Sequence, residues 1–332
     1  MTTLLPRDDE HDPGRRHLLR LAAASIALPL LPMFVAEAAP LTYALKPIKL
    51  DDGVWMIAGR QEAITFENGG AIANITILDS SDGAIIIDTG PSRRFGEELA
   101  ALSRTLTGKD IARVYLTHFH PDHVFGNQGF DAAKIAAPEG VIKGLQDLGN
   151  GFSDAMYYIA RDWMRGTEIV LPATAVAEGV EDIGGRRLRL LPRAGHTASD
   201  LAVYEENSGL LIAGDLAFLD RAPTTPHANI ATWRTTLTEL SAIDCKRLVP
   251  GHGPAETAKR ALTQTQDWLT EIEGLITRCF EQGLDMNEAM NVPLPPSLEQ
   301  IALARYEFGR SVMHLYPMLE GAKLPAVGAR AN

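Results

Sequence analysis

One stretch, THFHPDH over residues 117–123, constrains the fold and the chemistry of this chain more than any other. It places three imidazoles and one carboxylate within six residues, directly after the apolar run IARVYL, which predicts a buried strand. Imidazole suits zinc, iron and copper, and a carboxylate beside it suits a Lewis-acidic ion. A histidine-rich surface loop would share this composition, but further ligand-type residues follow other predicted strands downstream. The stretch therefore predicts a metal site at the end of a strand.

The spacing inside this stretch predicts two adjacent metals rather than one. His118 and His120 lie two residues apart, so in an extended segment both rings leave the same side of the backbone. Pro121 ends the strand because it cannot donate a hydrogen bond to a neighbouring strand. After that turn, Asp122 and His123 can point to a second position nearby.

In three later segments, just past a predicted strand, a glycine is followed directly by a histidine or an aspartate that could bind a metal. They are Gly195-His196, Gly214-Asp215 and Gly251-His252. Glycine lets the backbone turn sharply, and loops at one rim of a rigid sheet core can converge on a site. We therefore expect seven ligands to meet at one place: His118, His120, Asp122, His123, His196, Asp215 and His252.

Short β-prone runs dominate both halves of the chain, and helical patterns lie between and after them. We expect strands over residues 53–58, 63–66, 71–78, 84–87, 111–116, 201–204, 210–213 and 246–249, and a hairpin over 180–193. We expect helices over residues 92–107, 138–148, 153–165 and 230–243, then a mostly helical tail with a break at 291–296. Two packed sheets with helices outside satisfy this order, which predicts an α+β fold with four αββα layers. The predicted domain spans residues 39–254, and residues 255–332 form a helical C-terminal extension packed on it.

The first 38 residues have the pattern of an export signal. Arg15 and Arg16 precede an apolar run over residues 21–35 and the small-x-small sequence at residues 36–38. This order resembles a twin-arginine signal of bacteria, which predicts a periplasmic or exported protein with no stable membrane insertion after signal removal. A transmembrane anchor is the alternative, but the run is shorter than about 20 residues and is interrupted by proline.

Charge and cysteine content exclude two classes of function. The formal net charge of −11 argues against a nucleic-acid partner, because no basic excess is available to neutralise phosphates. Cys245 and Cys279 lie in no ligand motif, which excludes a thiolate metal site. In an oxidising compartment they could pair, or each could be a small buried hydrophobic residue. The expected partner is a small-molecule substrate.

The order HxHxDH, then His, Asp and His, resembles the metallo-β-lactamase superfamily in its dinuclear hydrolase form. This resemblance spans residues 53–254 and implies an αββα sandwich that binds two Zn²⁺ ions. The implied ligands of the first metal are His118, His120 and His196, and those of the second are Asp122, His123 and His252. Asp215 corresponds to a carboxylate that bridges both metals. Asp88 corresponds to a buried aspartate that orients a ligand, although it could equally cap the turn after its strand.

Three stretches resemble, more narrowly, the quinoprotein relay system zinc metallohydrolases. They are ENGGAIAN at residues 67–74, HPDHVFGN at residues 120–127 and the tail around residues 305–320. This resemblance implies a functional link to periplasmic quinoprotein dehydrogenases, which agrees with the expected export signal.

The implied reaction is hydrolysis of an ester, thioester, lactone or amide-like carbonyl by a metal-bound hydroxide. Asp122 would orient the nucleophile and pass a proton to the leaving group. Asp215 argues against a true β-lactamase, whose dinuclear members generally lack this bridging carboxylate. His227 could face the substrate, but it is interpreted as an ordinary loop histidine, and His314 is interpreted as structural. Two alternatives stay open: an iron oxidoreductase similar to the persulfide dioxygenases, and a non-catalytic periplasmic metal-binding protein.

Replacing the arginine pair should block export if the first segment is a twin-arginine signal. We expect the Arg15→Lys/Arg16→Lys double variant to accumulate in the cytoplasm, because the pair is the defining element of this signal. Cell fractionation measures this outcome, with Arg7→Lys as a control outside the pair. Export of the double variant at the wild-type level would contradict the prediction.

Overall fold

Two mixed sheets packed face to face organise the chain, in a computed structural model that describes residues 41–324. The predicted export signal at residues 1–38 lies outside the described residues. The first sheet runs β1 (Pro47–Asp51), β2 (Val54–Ile57), β3 (Ile75–Ser80), β4 (Gly83–Ile87), β5 (Ile111–Tyr115), β6 (Ile135–Pro138) and β7 (Thr174–Val176). Strands β1 to β4 pair antiparallel, and β4 to β7 pair parallel.

The second sheet contains the later strands of the chain. It is built from β8 (Gly179–Ile183), β9 (Arg186–Arg193), β10 (Asp200–Glu205), β11 (Leu210–Phe218) and β12 (Arg247–His252), which neighbour one another in that order. Only β11 and β12 pair parallel in this sheet, and the other neighbours are antiparallel.

Helices cover the outer face of each sheet. They are α1 (Arg93–Thr107), α2 (Pro121–Val124), α3 (Glu139–Ala160), α4 (Ile230–Ser241), α5 (Ala258–Glu281), α6 (Met286–Met290), α7 (Pro296–Glu299) and α8 (Ala304–Lys323), with 3₁₀ turns at Phe125–Gly129, Ala132–Lys134 and Arg161–Met164. Helices α1 and α3 pack on the first sheet, α4 and α5 pack on the second, and α8 packs on α5 and α6. Between residues 41 and 324, no helix combines the length and the apolarity that crossing a membrane requires.

The sandwich forms because its central strands are apolar on both faces. In β4, Ile85 and Ile87 join the core between the sheets, whereas Ile86 joins the core under α1 and α3. Val203 and Ile212 of the second sheet belong to the same inner core as Ile85. Alternate residues of one buried strand therefore hold two different layers together.

The predicted α+β fold with four αββα layers is confirmed, with corrections to individual elements. The strand expected over residues 63–66 is wrong, because these residues form a loop in which Thr65 N donates to Asn68 Oδ1. The two helices expected over residues 138–165 are one helix, α3, whose buried face continues from Leu145 through Gly149 to Met156. The domain boundaries at residues 38 and 254 stay predictions.

The cysteines do not pair. Cys245 and Cys279 are free thiols, and Cys279 is buried in the core between the second sheet and its helices. The interpretation of Cys279 as a small buried hydrophobic residue is therefore confirmed.

Gly96 should be essential for the packing of α1, whereas Gly151 in α3 should not. A Cβ at Gly96 would lie 1.9 Å from Gly126 O, and a Cβ at Gly151 meets nothing within 4 Å. We expect Gly96→Ala to lower the free energy of unfolding by about 1–3 kcal/mol because the backbones must separate. Gly151→Ala should raise it by up to about 1 kcal/mol, because alanine is the better helix former. Chemical denaturation measures both values, and equal effects would contradict the close contact at Gly96.

Candidate metal centre

The structure brings the seven predicted ligands together from separate segments. His118 and His120 follow β5, Asp122 and His123 lie in α2, His196 follows β9, Asp215 lies in β11, and His252 ends β12. All seven side chains are buried. Asp215 differs from expectation because it lies inside its strand rather than past it. The irregular pairing of β11 with β12 around Gly214 extends β11 to Phe218.

The possible ligands form two adjoining groups. One contains His118, His120, His196 and Asp215, and the other contains Asp122, His123 and His252. Within each group, one potential ligand atom per residue lies within 4.8 Å of every other. The division agrees with the two sets of ligands implied by the sequence resemblance.

Asp215 turns one carboxylate oxygen toward each group. Its Oδ2 lies 3.7 Å from His118 Nε2 and 3.3 Å from His196 Nε2. Its Oδ1 lies 3.2 Å from His123 Nε2 and 3.3 Å from His252 Nε2. Four ligands at about 2.0–2.1 Å from a tetrahedral ion would be about 3.3 Å apart, which is close to these distances. The carboxylate is therefore placed where it could bridge two ions.

Asp88 fixes the orientation of two histidines through their Nδ1 atoms, which face away from the possible metal positions. Its Oδ2 accepts hydrogen bonds from His123 Nδ1 at 2.7 Å and from Thr117 Oγ1 at 2.8 Å. Thr117 Oγ1 in turn lies 3.0 Å from His118 Nδ1 and can accept its proton. Both rings therefore carry the proton on Nδ1 and leave Nε2 free for a metal. This arrangement supports the interpretation that Asp88 orients ligands.

Two more histidines are anchored through the ring nitrogen that faces away from the site. His252 Nδ1 donates to the carbonyl oxygen of Ile72 at 2.8 Å. His120 Nε2 lies 2.9 Å from His227 Nδ1, to which it can donate. His252 Nε2 and His120 Nδ1 are then left without a proton and can coordinate a metal.

The electrostatics of the site favour a bound cation. Burial holds the pKa values of His118, His120 and His196 well below the ordinary value, so these rings are neutral. Burial also acts to lower the pKa of His123, but neighbouring carboxylates, Asp215 foremost, raise it well above the ordinary value. Burial opposes ionisation of Asp215, yet the surrounding histidines hold its pKa well below the usual range. The three neutral imidazoles beside the ionised carboxylate of Asp215 form a donor set for a metal ion.

Several buried atoms that face the site lack a partner. His118 Nε2, His123 Nε2 and Asp215 Oδ1 make no hydrogen bond to any described residue. Unpaired buried polar atoms are costly, and metal ions held by the two ligand groups would satisfy all three atoms. The residues present therefore fit the metals that the sequence implies.

Gly251 and Asn74 hold the end of β12 against Asp215. A Cβ at Gly251 would lie 1.8 Å from Asp215 Oδ1, so glycine is the residue that admits the carboxylate here. Asn74 Nδ2 donates to the carbonyl oxygens of Pro250 and Gly253 at 2.8 and 2.7 Å. Asn74 ends the stretch at residues 67–74 that resembles a known family, but the sequence alone did not indicate that it holds β12 in place.

A cavity of about 250 Å³ opens onto both ligand groups. His120, Asp122, Asp215 and His252 line it, together with the apolar side chains Phe152, Ala155, Met156 and Ile159 of α3. His227 also lines the cavity, so its interpretation as an ordinary loop histidine is wrong. His314 stays outside, with its Nε2 3.2 Å from Ala228 O. The arrangement gives a small substrate direct access to both metal positions.

Comparisons with known proteins agree with this geometry. A family model described as the metallo-beta-lactamase superfamily matches residues 68–252. The linear primary-alkylsulfatase of a Pseudomonas species is 23% identical over 283 residues, which cover 72% of this chain and 53% of that protein. The chain thus spans about half the length of that relative. An acyl-coenzyme A thioesterase of Homo sapiens is 25% identical over 246 residues, which cover 67% of this chain and 86% of that protein.

A solved structure supports the same fold. The metallo-beta-lactamase from Pontibacter korlensis superposes with a TM-score of 0.54 at 22% identity, covering 68% of this chain and 99% of that one. At this identity the likeness concerns the fold alone.

Asp88 should control the affinity for metal, tested here with zinc, without being a ligand. The Asp88→Asn variant keeps the shape of the side chain but loses the charge that orders Thr117 and His123. We therefore expect zinc affinity to fall about 10–100-fold. Competition with a chromogenic chelator measures this affinity, with the exposed Asp154→Asn as a matched control. Equal affinities in the two variants would refute the orienting role.

Proposed function

This chain belongs to the metallo-β-lactamase superfamily, and we propose that it is a dinuclear zinc hydrolase of a carbonyl substrate. The placement of Asp215 between two buried ligand groups carries this proposal. One zinc ion would bind His118, His120 and His196, the other would bind Asp122, His123 and His252, and Asp215 would bridge them. Imidazole and carboxylate are ligands that suit Zn²⁺.

Different residues around the site can perform different parts of the reaction. When bound, zinc supplies Lewis acidity and lowers the pKa of water toward neutrality. Asp122 lines the cavity, with its Oδ2 3.6 Å from His123 Nε2 and 3.5 Å from His252 Nε2. We assign to Asp122 the orientation of the nucleophile and the transfer of a proton to the leaving group. His227 keeps the ring of His120 in one orientation.

An ester or thioester with an apolar acyl group is the substrate that fits best. Phe152, Met156 and Ile159 give the cavity an apolar side that can accept such a group. The similarity to a thioesterase covers 86% of that protein, whereas the similarity to an alkylsulfatase covers 53%. The similarity to the thioesterase, which spans most of that protein, supports acyl transfer to water. Lactones and amide-like carbonyls belong to the same reaction class.

The cellular setting is also part of the proposal. The twin-arginine pattern supports export to the periplasm, and the stretches at residues 67–74 and 120–127 support a link to quinoprotein dehydrogenases. Both inferences rest on sequence patterns alone.

Metal analysis together with a hydrolysis screen tests the proposed function. We expect protein purified without added metal to contain two zinc ions per chain and to hydrolyse acyl thioesters. His118→Ala and Asp215→Ala should lose zinc and reduce kcat/KM on the order of 100-fold or more, because each removes a ligand. His314→Ala is the matched control and should keep both zinc and activity.

Other outcomes would support the alternatives. One iron per chain with no hydrolysis would favour the sulfur-oxidising oxidoreductase. Two zinc ions without turnover of any thioester, ester or lactone would favour a metal-binding protein. Full activity in Asp215→Ala would refute the bridging role of this carboxylate.

A further inference from the structure

Residues 41–46, which we call the N-terminal strap, lie ahead of β1 and belong to no strand or helix. Leu41, Tyr43 and Leu45 pack against the core under α1 and α3, and the residues between them are exposed. Segments near the end of a chain are poorly ordered unless other parts of the fold hold them down. The strap therefore needs partners that explain its fixed position.

Two charged side chains of α1 hold the backbone of the N-terminal strap. Tyr43 N donates to both carboxylate oxygens of Glu98, at 3.2 and 3.0 Å. Arg94 Nη1 donates to the carbonyl oxygen of Leu41 at 2.7 Å. Hydrogen bonds to charged side chains are stronger than those between neutral groups. The strap is therefore fixed to the domain through its main chain.

The side chain of Tyr43 carries this fixed position inward. Its ring lies against Phe95 and Trp163, with ring centres 5.0 and 4.4 Å apart. Burial raises the pKa of Tyr43, so its hydroxyl keeps the proton and can donate it. That hydroxyl donates to the carbonyl oxygen of Gly69 at 2.9 Å and accepts from Ser92 Oγ at 2.9 Å. Tyr43 thus connects the N-terminal strap to the loop that contains Gly69.

This loop, residues 58–74 between β2 and β3, is called the cavity loop below. Trp163 Nε1 donates to the carbonyl oxygen of Phe66 at 2.8 Å. A Cβ at Gly69 would lie 2.6 Å from Trp163 Cδ2, so glycine allows the backbone of the loop to rest on the indole ring. The hydroxyl of Tyr43 and the indole N–H therefore hold two carbonyls at the turn of the cavity loop.

The same loop reaches the metal centre and the cavity. Its residues Ala63, Ile64 and Ile72 line the cavity. The carbonyl oxygen of Ile72 accepts the hydrogen bond from Nδ1 of the metal ligand His252 at 2.8 Å. Ile72 lies three residues after Gly69, within the stretch at residues 67–74. The carbonyl that Tyr43 holds and the carbonyl that orients His252 therefore belong to one short segment.

We propose, on the basis of the metal centre proposed above, that the N-terminal strap positions the cavity loop and that Tyr43 is the positioning residue through which it acts. By holding Gly69, Tyr43 keeps the loop in the conformation in which the carbonyl oxygen of Ile72 orients His252. Local opening of the loop would free His252 from this acceptor and remove one wall of the cavity. Tyr43 thus acts on the metal centre through the loop, without contact to a metal or a substrate.

Amide hydrogen exchange of the cavity loop tests this assignment on the zinc-loaded protein. Tyr43→Phe keeps the ring and removes the hydroxyl, so the loop should open more often. We expect its amides to exchange about fivefold faster, as for the loss of one hydrogen bond, while exchange in β11 stays unchanged. Tyr204→Phe is the matched control, because its hydroxyl also donates to a backbone carbonyl, that of Asp244 at 3.1 Å, outside the loop. This control should exchange at the wild-type rate in the loop.

The rate of zinc removal by an excess of a chromogenic chelator tests the connection to His252. We expect Tyr43→Phe to lose zinc about fivefold faster than the wild type, because His252 lacks its acceptor whenever the loop is open. Tyr204→Phe should lose zinc at the wild-type rate. Faster loop exchange with unchanged zinc removal would overturn the connection to His252. A lower Tm with unchanged loop exchange and zinc removal would show a merely structural role and overturn the whole assignment.

Failure of the proposed function and failure of the positioning role give different results. If the wild type binds no zinc or hydrolyses no thioester, the proposed function is wrong, and loop exchange still decides whether the strap holds the loop. If the wild type is active and Tyr43→Phe matches it in both measurements, the positioning role is wrong and the hydrolase function stands. If circular dichroism shows that Tyr43→Phe is unfolded, Glu98→Gln decides instead, because it weakens the anchor of the strap and keeps the tyrosine. Faster loop exchange in Glu98→Gln would support the role, and an unchanged rate would overturn it.

Discussion

The rest of the site depends on the contacts of the Asp215 carboxylate with four surrounding histidines. It lies between four histidine Nε2 atoms at 3.2 to 3.7 Å, with one oxygen directed at each ligand group. A buried charge of this kind is tolerated only when opposite charge or hydrogen bonds surround it. The parallel pair β11 and β12 provides this setting, since β12 carries both His252 and the glycine that leaves room for the carboxylate. The two strands therefore act as a rigid frame for both metal positions.

Much of the site could be predicted because its signals are local. The spacing of His118, His120, Asp122 and His123 is visible in a single stretch, and each remaining ligand stands beside a glycine near a predicted strand end. The layers were predictable for the same reason, because β4 and its neighbours are continuous apolar runs. The position of Asp215 inside β11 was missed, because a pairing irregularity between strands leaves no mark in hydrophobic periodicity.

Apart from Asp88, the residues that support the site could not be predicted from the sequence, because their partners are distant in the chain. Asn74 bonds to carbonyls 176 and 179 residues away, and His227 contacts His120 across 107 residues. Arg221 belongs to no motif, and its position on the cavity wall becomes visible only in the structure, where α8 places Glu307 nearby. Periodicity indicates which face of an element is buried. It does not indicate which loops from different parts of the chain meet over a cavity.

The two sides of the cavity come from stretches of sequence that are separate from the metal ligands. Apolar side chains of α3 form one side, and polar side chains of α8 contribute to the other, and α8 begins after the last ligand-bearing strand has ended. Substitutions at the cavity-lining residues of α8 can therefore change the cavity without altering a ligand-bearing strand. Over evolutionary time, a lineage built on this architecture is free to exchange one preferred substrate for another while its reaction chemistry is inherited unchanged.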